Sequence, residues 1–471
     1  MSGAASVDRM RHQARERLLA ERTQGGWWKG ELSSSALSTA TACAALALAR
    51  TEGDDRYLAP GLTWLAQHQN GDGGYGDTTC SPSNLSTSAL CWMALGFGQS
   101  DSHRRAKQSV EQWLSERLGG LQPEDFASGL REVYAEDHTF AIPILVACTV
   151  GGAFPQHQSP WSSIARLPFE LAALPRGLFK WLGLSVVSYA LPALIAIGQA
   201  IEYHNPSRNP FSRLLRRVTR SSTLRTLESI QPPGGGFLEA TPLTSFVVLS
   251  LVSCGHTKHP VVLQGLDFLR RSIRSDGSWP IDSDLATWLT TLAVNALCAA
   301  GDQDEALSKA ERRPLSKWLM GQQHVTLHPY TGAAPGGWAW TDLPGGVPDA
   351  DDTAGALLAL QELGSIDSAR AKAGALWLRD LQNRDGGIPT FCRGWGKLPF
   401  DASCPDLTAH ALRAWLACEK PLLVGGDRET VIELGEARQR AQEHLVRTQQ
   451  GDGTWTPLWF GNQQATNKEN P

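Results

Sequence analysis

One short pattern recurs along the chain and limits what it can fold into. A glutamine at the end of an amphipathic helix is followed by a Gly/Asp turn and then by an aromatic residue. The clearest copies run from Gln69 to Tyr75, from Gln231 to Phe237 and from Gln449 to Trp455. Weaker copies begin at Gln24, Arg274 and Gln382, and a stretched copy extends from Gln323 to Trp338. Such self-similarity indicates a repeat architecture.

Each copy is followed by a polar turn and a new helix rich in Ala and Leu. These helices are predicted at 35–50, 85–97, 240–253, 284–300, 352–363 and 406–418. Glycine supplies the positive φ of the turn, aspartate caps it, and the aromatic side chain packs on the next helix. The glutamine is expected to bond the free N–H groups of that helix. Helical hairpins repeated in this way predict an all-α fold of α/α barrels.

The composition fits a large globular core and excludes several classes of protein. Hydrophobic residues make up 42% of the 471 residues, and the net charge of -4 gives no reason to expect a nucleic-acid partner. Nine cysteines without CxxC pairs favour reduced thiols in the cytoplasm over a disulfide framework. The polar N-terminal helix does not have the pattern of a signal peptide. Most of the 17 tryptophans are explained by the repeat.

The repeats fall into two sets, with a polar stretch between Ala299 and Arg313. We therefore expect a first α/α barrel at 35–305 and a second at 306–471. A helix within 1–34 is expected to join the second barrel.

An acidic motif stands within the second set. Asp349, Asp351 and Asp352 occupy three of four consecutive positions, between a tryptophan-rich run at 336–340 and an apolar helix. Close carboxylates repel one another, so one of them is expected to hold its proton above the usual pKa range. A protonated carboxyl in a dry aromatic pocket can protonate an unactivated alkene. Considered alone, the motif fits a solvated acidic loop or a calcium or magnesium loop equally well.

The motifs and their order resemble those of the squalene–hopene cyclase family of class II terpene cyclases. PDADDTA resembles the family's D-x-D-D-T-A acid motif, and PGGWAW resembles the aromatic strip under the first ring of the substrate. Two later segments, CPDLTAHAL and DGTWTPLWFGNQ, resemble the next family repeats. The resemblance covers nearly the whole chain. It implies a γ-like first barrel and a β-like second barrel, and neither a metal nor an organic cofactor.

The resemblance also implies roles for individual residues. Asp351 matches the proton donor, Asp349 and Asp352 match the flanking acids, and His410 matches the histidine that bonds the donor carboxyl. The substrate-binding aromatic residues that it implies are Trp338, Trp340, Trp288 and Trp181. Such π-rich walls stabilise a cation moving along a folded polyene, by about 0.5–2 kcal/mol for each contact.

The implied substrate is a linear isoprenoid such as squalene, cyclised after protonation of its terminal alkene. Asp352 followed by Thr353 differs from the Asp-Cys-Thr-Ala of the oxidosqualene branch, which opens an epoxide. Three alternatives stay open: a class II diterpene cyclase acting on geranylgeranyl diphosphate, a non-catalytic remnant, and a zinc-dependent protein prenyltransferase β subunit. The last would need zinc ligands at Cys404, Asp406 and His410, which do not share a helical face.

The chain departs from the family pattern after Trp459, where polar residues replace an aromatic-rich stretch. Measured against that pattern the final repeats are absent, so the second barrel is expected to be incomplete. With no further repeat, Trp459 and Phe460 are expected to be partly exposed. An uncapped barrel end frays and associates, so we expect marginal stability and weak squalene cyclase activity.

A protein that uses squalene is expected to sit peripherally on the cytoplasmic face of the cell membrane, and a homodimer is compatible with this. The apolar stretch between Phe140 and Ile201 motivates the expectation. Its most apolar run is interrupted by polar residues, so it is interpreted as a buried or membrane-dipping helix and not as a span. The expected contacts and basic rim are Trp161, Phe169, Leu178, Trp181, Arg166, Arg176 and Lys180.

Overall fold

The computed structural model describes residues 3–134, 138–154, 160–174, 190–299, 307–329, 331–391, 393 and 400–456. In these ranges the chain forms 17 α-helices, three short 3-10 helices and one two-stranded sheet, so the predicted all-α fold is confirmed. The chain divides into two compact units, one of residues 31–283 and one of residues 1–30 together with 284–471.

The unit of residues 31–283 contains ten of these helices. They are α2 (Ala36–Ala49), α3 (Asp55–Gln67), α4 (Leu85–Leu95), α5 (Asp101–Leu118), α6 (Pro123–Tyr134), α7 (His138–Val150), α8 (Leu191–His204), α9 (Pro210–Ile230), α10 (Thr241–Ser253) and α11 (Pro260–Arg271). Its 3-10 helices are Pro160–Ser163, Phe169–Ala173 and Phe237–Glu239. Strands β1 (Ser34–Ser35) and β2 (Trp279–Pro280) pair antiparallel, with Ser35 opposite Trp279.

Five helices form the inner layer of this unit. Helix α2 packs on α4, α4 on α7, α7 on α8, α8 on α10, and α10 on α2, which closes a ring. Helices α2, α4 and α10 are buried along most of their length, as expected for elements that are apolar on every side. Helices α3, α5, α6, α9 and α11 pack on the outside of the ring. This inner and outer layering is an α/α barrel.

The second unit contains the acid motif. Its helices in the described residues are α1 (Gly3–Ala20), α12 (Ala286–Ala299), α13 (Lys309–Gly321), α14 (Ala350–Glu362), α15 (Ser368–Leu381), α16 (Pro405–Val424) and α17 (Arg428–Thr448). Helix α14 is buried along most of its length and packs against both α12 and α16. Helices α13, α15 and α17 pack against this row. The acid motif therefore lies on the central helix of the unit.

The division between the units differs from the predicted boundary at 305/306. It falls after Ser283, so α12 belongs with the acid motif and not with the first barrel. The physical reason is that α12 packs on α14, whereas the polar stretch that suggested the boundary follows α12. The N-terminal segment lies in the same unit, where Trp27 stacks on Trp318 with ring centroids 4.9 Å apart. Arg22 also pairs with Glu311 at 3.0 Å.

The repeat turns share one pattern of hydrogen bonds, which corrects the predicted role of the glutamine. The Gln69 side-chain amide donates to the carbonyls of Gly73 (2.8 Å) and Ala106 (3.0 Å). Gln231, Gln323 and Gln382 make equivalent pairs of bonds. The expectation that the glutamine bonds the free N–H groups of the next helix is wrong, because its side-chain amide donates to two backbone carbonyls instead. It joins the turn to an outer helix.

The aromatic residues of the repeats form hydrogen bonds to the ends of the preceding helices. Their N–H or O–H groups donate to a carbonyl in the last turn of a helix, where carbonyls lack intrahelical partners. The pairs are Trp28 with Leu18 (2.6 Å), Tyr75 with Leu65 (3.0 Å), Trp279 with Leu269 (2.7 Å), Trp338 with Leu319 (2.8 Å) and Trp455 with Leu445 (2.8 Å). Each bond therefore fixes the direction in which the chain leaves the helix.

Three of the residues predicted for the membrane patch lie in the described part of the chain, and none of the three is a free surface residue. Phe169 is 1% exposed, and half-buried Trp161 stacks on His204. Arg166 donates to Glu202 and to two backbone carbonyls, so it is not a free rim residue. The predicted positions that lie outside the described residues are Arg176, Leu178, Lys180, Trp181, Trp459 and Phe460.

An exposed apolar stripe lies instead on α9. Phe211, Leu214, Leu215 and Val218 are 84%, 60%, 52% and 70% exposed. Their i, i+3, i+4, i+7 spacing places them on one face of the helix. None of the described helices has an apolar run long enough to cross a bilayer.

Candidate active site

The acid motif forms the first turn of α14. Asp349 is the N-cap residue, and its Oδ1 accepts the backbone N–H of Asp352 at 2.8 Å. The Asp349 N–H donates to the Trp338 carbonyl at 3.0 Å, which ties the tryptophan-rich run to the helix start. Thr353 Oγ1 accepts the Trp338 N–H at 2.9 Å. The carboxyl of Asp351 therefore sits at a fixed place near a helix N-terminus, where the helix dipole favours negative charge.

Two neighbouring helices supply the contacts of the Asp351 carboxyl. Its Oδ1 lies 2.7 Å from Nδ1 of His410 on α16. Its Oδ2 lies 3.1 Å from the indole Nε1 of Trp288 on α12. The Asp351 side chain remains 40% exposed, whereas Asp349 and Asp352 are each only 3% exposed. Asp351 is thus the acid of the motif that a substrate can reach.

Gly355 allows the three helices to approach so closely. A Cβ atom at this position of α14 would lie 3.1 Å from Oγ1 of Thr291 on α12 and 3.6 Å from Cε1 of His410 on α16. The first distance is shorter than ordinary van der Waals contact. A larger residue at 355 would therefore push α12 or the histidine away from the acid.

Burial changes the ionisation of the flanking acids. It raises the pKa of Asp349 to about 7, against the opposing effect of hydrogen bonds from Asp352. Burial, together with the charge of Asp349, raises the pKa of Asp352 well above its usual range. The expectation that crowding and burial would hold a proton in the motif therefore applies to Asp349 and Asp352.

The predicted aromatic residues have different surroundings. Trp340 is half-buried, and its ring contacts Phe391 edge-on with centroids 6.1 Å apart. Trp288 is half-buried beside the acid. Trp338 has no exposed surface, because it is the repeat aromatic and packs in the core, so it cannot touch a substrate in this structure. Trp181 lies outside the described residues.

Three features of the site were not found from the sequence. Phe391 extends the aromatic surface of Trp340 and contacts Phe400 with centroids 5.2 Å apart. The segment TFC, directly after the Gln382 turn, was the signal for Phe391. Thr353 and Thr408 accept the backbone N–H groups of Trp338 and Ile388, so the threonines of both motifs hold the repeat together. The hydrogen bond from Trp288 to Asp351 left no signal in the sequence.

The residues of the zinc alternative do not meet at one point. Cys404 Sγ lies 2.6 Å from Oδ1 of Asp406, while the ring of His410 turns to Asp351. The described ranges contain no cluster of three or more His, Cys, Asp and Glu side chains suited to a metal ion.

Comparison with known proteins finds similarity to one family at both ends of the chain. Residues 12–124 match the squalene-hopene cyclase N-terminal domain, and residues 285–463 match the squalene-hopene cyclase C-terminal domain. Together the two matches cover more than half of the chain.

Two curated relatives and one solved structure illustrate the similarity. A terpene cyclase-glycosyl transferase fusion protein of Humicola fuscoatra is 30% identical over 43% of this chain and 17% of its own length. The squalene–hopene cyclase of Alicyclobacillus acidocaldarius is 28% identical over 55% of this chain and 42% of its own length. The chain thus matches less than half the length of each of these relatives. The ent-copalyl diphosphate synthase of Arabidopsis thaliana has a TM-score of 0.50 at 15% identity, over 93% of this chain and 52% of that structure, and shares the fold.

Proposed function

This chain belongs to the squalene–hopene cyclase family of class II terpene cyclases, and we propose that it protonates the terminal alkene of a linear polyprene such as squalene. Asp351 delivers the proton. Its O–H bond breaks, the alkene π electrons form the new C–H bond, and the O–H electron pair stays on the carboxylate. The observation that carries this proposal is the Asp351 carboxyl, partly exposed and bonded through both oxygens to His410 and Trp288.

The surroundings of Asp351 suit both species that form in this step, the carboxylate and the carbocation. The helix N-terminus and a hydrogen bond from His410 stabilise the carboxylate that remains after proton transfer. The carbocation formed at the same moment needs electron-rich neighbours. The faces of Trp340 and Phe391 supply such neighbours, because aromatic rings attract cations when water is excluded.

A class II diterpene cyclase that acts on geranylgeranyl diphosphate would use the same acid. Protonation of its terminal alkene leaves the diphosphate intact, so the acid geometry supports either substrate. The described residues contain the proposed proton donor together with both of its hydrogen-bond partners, which argues against a non-catalytic remnant. The contacts of Cys404, Asp406 and His410 argue against the zinc prenyltransferase.

The test is to incubate the protein with squalene and, separately, with geranylgeranyl diphosphate. Extracts are analysed by gas chromatography, after dephosphorylation in the second case. The matched control is Asp351→Asn, which preserves the size of the side chain and can keep hydrogen bonds but is not an acid. We expect a cyclic product from one substrate and none from the variant. Turnover of neither substrate by the wild type, or equal turnover by Asp351→Asn, would overturn the proposal.

The exposed stripe on α9 supports a peripheral location on the cytoplasmic face of the cell membrane. Squalene dissolves in acyl chains and hardly in water, so an enzyme that uses it must meet a lipid surface. Six arginines and no acidic residue occur between Asn205 and Leu227. Of these, Arg208, Arg213, Arg217 and Arg225 are exposed. An exposed apolar helix face in a segment with several exposed arginines fits an anionic bilayer surface.

A further inference from the structure

The indole N–H of Trp288 makes a hydrogen bond that an aromatic ring without an N–H could not make. Resting on the proposed function, we propose that Trp288 is a positioning residue for the proton donor. It fixes the orientation of the Asp351 carboxyl and stabilises the carboxylate that forms when the proton leaves. This differs from the role expected from the sequence, in which the Trp288 ring binds the substrate.

The argument begins with the direction of the hydrogen bond. An indole N–H can only donate, whereas a histidine nitrogen donates or accepts according to its tautomer. At 3.1 Å from Nε1 of Trp288, Oδ2 of Asp351 therefore accepts. A hydrogen bond of this kind is stronger to a carboxylate than to a neutral carboxyl. It consequently favours the carboxylate that proton transfer leaves behind over the neutral carboxyl.

The second step concerns orientation. With His410 at Oδ1 and Trp288 at Oδ2, both oxygens of Asp351 are held by different helices, so the carboxyl plane cannot rotate freely. Trp288 itself is anchored, because its backbone N–H donates to the carbonyl of Trp340 at 3.0 Å. Its carbonyl accepts from Thr291 Oγ1 at 2.9 Å. The donor is thus fixed before any substrate arrives, and such preorganisation is a large term in catalysis.

Few other charged groups face the Asp351 carboxyl. The carboxyls of Asp349 and Asp352 act on it from the same helix end, and His410 faces it from α16. Helix α12 contributes the indole of Trp288, which does not titrate. From α13 and α15, no hydrogen bond or ion pair reaches Asp351 within the described ranges. Substitution of Trp288 therefore changes one neutral donor and leaves every nearby charge in place.

The kinetic test is Trp288→Phe, which keeps an aromatic ring and removes the N–H. With whichever substrate is turned over, we expect kcat to fall about 10- to 100-fold, the effect of one hydrogen bond to a charged group. KM should change little. Because the carboxylate loses a stabilising hydrogen bond, we expect the alkaline limb of the kcat profile to move to higher pH. Trp340→Phe is the matched control for that limb, since the Trp340 N–H has no partner on Asp351.

A second measurement requires no substrate. Indole N–H resonances of the full chain are recorded by NMR after labelling tryptophan with ¹⁵N, and the Trp288 signal is identified by its loss in Trp288→Phe. We expect this signal to shift with pH in the wild type and to lose that dependence in Asp351→Asn. Failure of both substrates would defeat the proposed function and leave this measurement decisive. The inference is overturned if the signal is insensitive to Asp351→Asn, or if Trp288→Phe lowers kcat without moving the pH limb.

Discussion

Three carboxyl groups within four residues of α14 divide into two kinds. Asp349 and Asp352 are buried, and burial raises the pKa of both, whereas the Asp351 side chain is 40% exposed. The buried pair therefore limits the negative charge close to Asp351 at neutral pH. Two acids that hold protons cost stability wherever the unfolded chain would ionise them.

This gives a prediction for Asp349→Asn. The folded-state pKa of Asp349 is raised to about 7, so the folded protein binds more protons than the unfolded chain between pH 4 and pH 7, and its stability falls as pH rises through that window. An asparagine keeps an oxygen for the Asp352 N–H without this effect. We expect the variant to be more stable than the wild type by roughly 1–4 kcal/mol at pH 8, and about equally stable at pH 4.

Urea unfolding of both proteins at pH 4, 6 and 8 checks this prediction. Because other carboxyls also titrate, the informative quantity is the difference between variant and wild type at each pH. A difference that does not grow with pH would show that Asp349 ionises in the folded protein as readily as in the unfolded chain.

His410 offers a prediction about catalysis. Its Nδ1 lies 2.7 Å from the proposed proton donor, so His410→Ala removes a group that assists proton transfer. We expect turnover to fall about 10²-fold, the scale of one general acid–base partner. The matched control is His444→Ala, since His444 also faces a carboxylate, that of Asp385 at 3.5 Å, but is buried on α17 against a repeat turn.

Steady-state rates and melting temperatures of both histidine variants distinguish a catalytic role of His410 from a purely structural one. We expect His444→Ala to lower the melting temperature and to leave the rate per folded molecule nearly unchanged. If His410→Ala instead affects only the melting temperature, His410 is a core residue without a catalytic role.

At the scale of the repeat, substitution can test the glutamine that joins each turn to an outer helix. Gln382 is 1% exposed, donates to the carbonyls of Gly386 and Ala437, and accepts from Arg440. Gln382→Ala leaves these buried groups without partners, so we expect a loss of roughly 2–4 kcal/mol in the free energy of unfolding. Gln449 bonds Gly453 in the same way but is exposed, so Gln449→Ala should cost less than about 1 kcal/mol.

Thermal and urea unfolding of the two alanine variants give the comparison directly. Equal losses from Gln382→Ala and Gln449→Ala would mean that burial of the turn does not decide the strength of this connection.

The repeat period explains how much the sequence could predict. Glycine turns, capping aspartates and aromatic positions act within one repeat, so the all-α fold and most helix positions follow from local pattern. The contact of His410 with Asp351 could be placed only through the resemblance of two motifs. The Trp288 bond joins residues 63 positions apart, and it depends on how α12 packs against α14. Packing of this kind has no local signal. The domain boundary, predicted after α12 and observed before it, differs for the same reason.

At the scale of the whole molecule, the proposed membrane contact through α9 gives a prediction about vesicle binding. Phe211, Leu214, Leu215 and Val218 form an exposed stripe that burial in a bilayer would remove from water. We expect the wild-type protein to sediment with vesicles of mixed phosphatidylcholine and phosphatidylglycerol at low salt. The double change Leu214→Ser with Val218→Ser should weaken this binding by about 10-fold or more, since each buried apolar side chain contributes on the order of 1 kcal/mol or more.

The control for this experiment is Val446→Ser, because Val446 is 77% exposed but lies on α17 in the other unit. It should bind vesicles like the wild type, and all three proteins should have similar melting temperatures since the changed residues are exposed.

Arg213→Gln with Arg217→Gln should reduce the part of the binding that falls as salt rises. Should the stripe instead join two copies of the chain, the wild type would be a dimer in solution without lipid, and the serine variant a monomer. Vesicle binding that is absent, or equal in wild type and serine variant, would remove α9 as the lipid contact and favour a soluble diphosphate as the substrate.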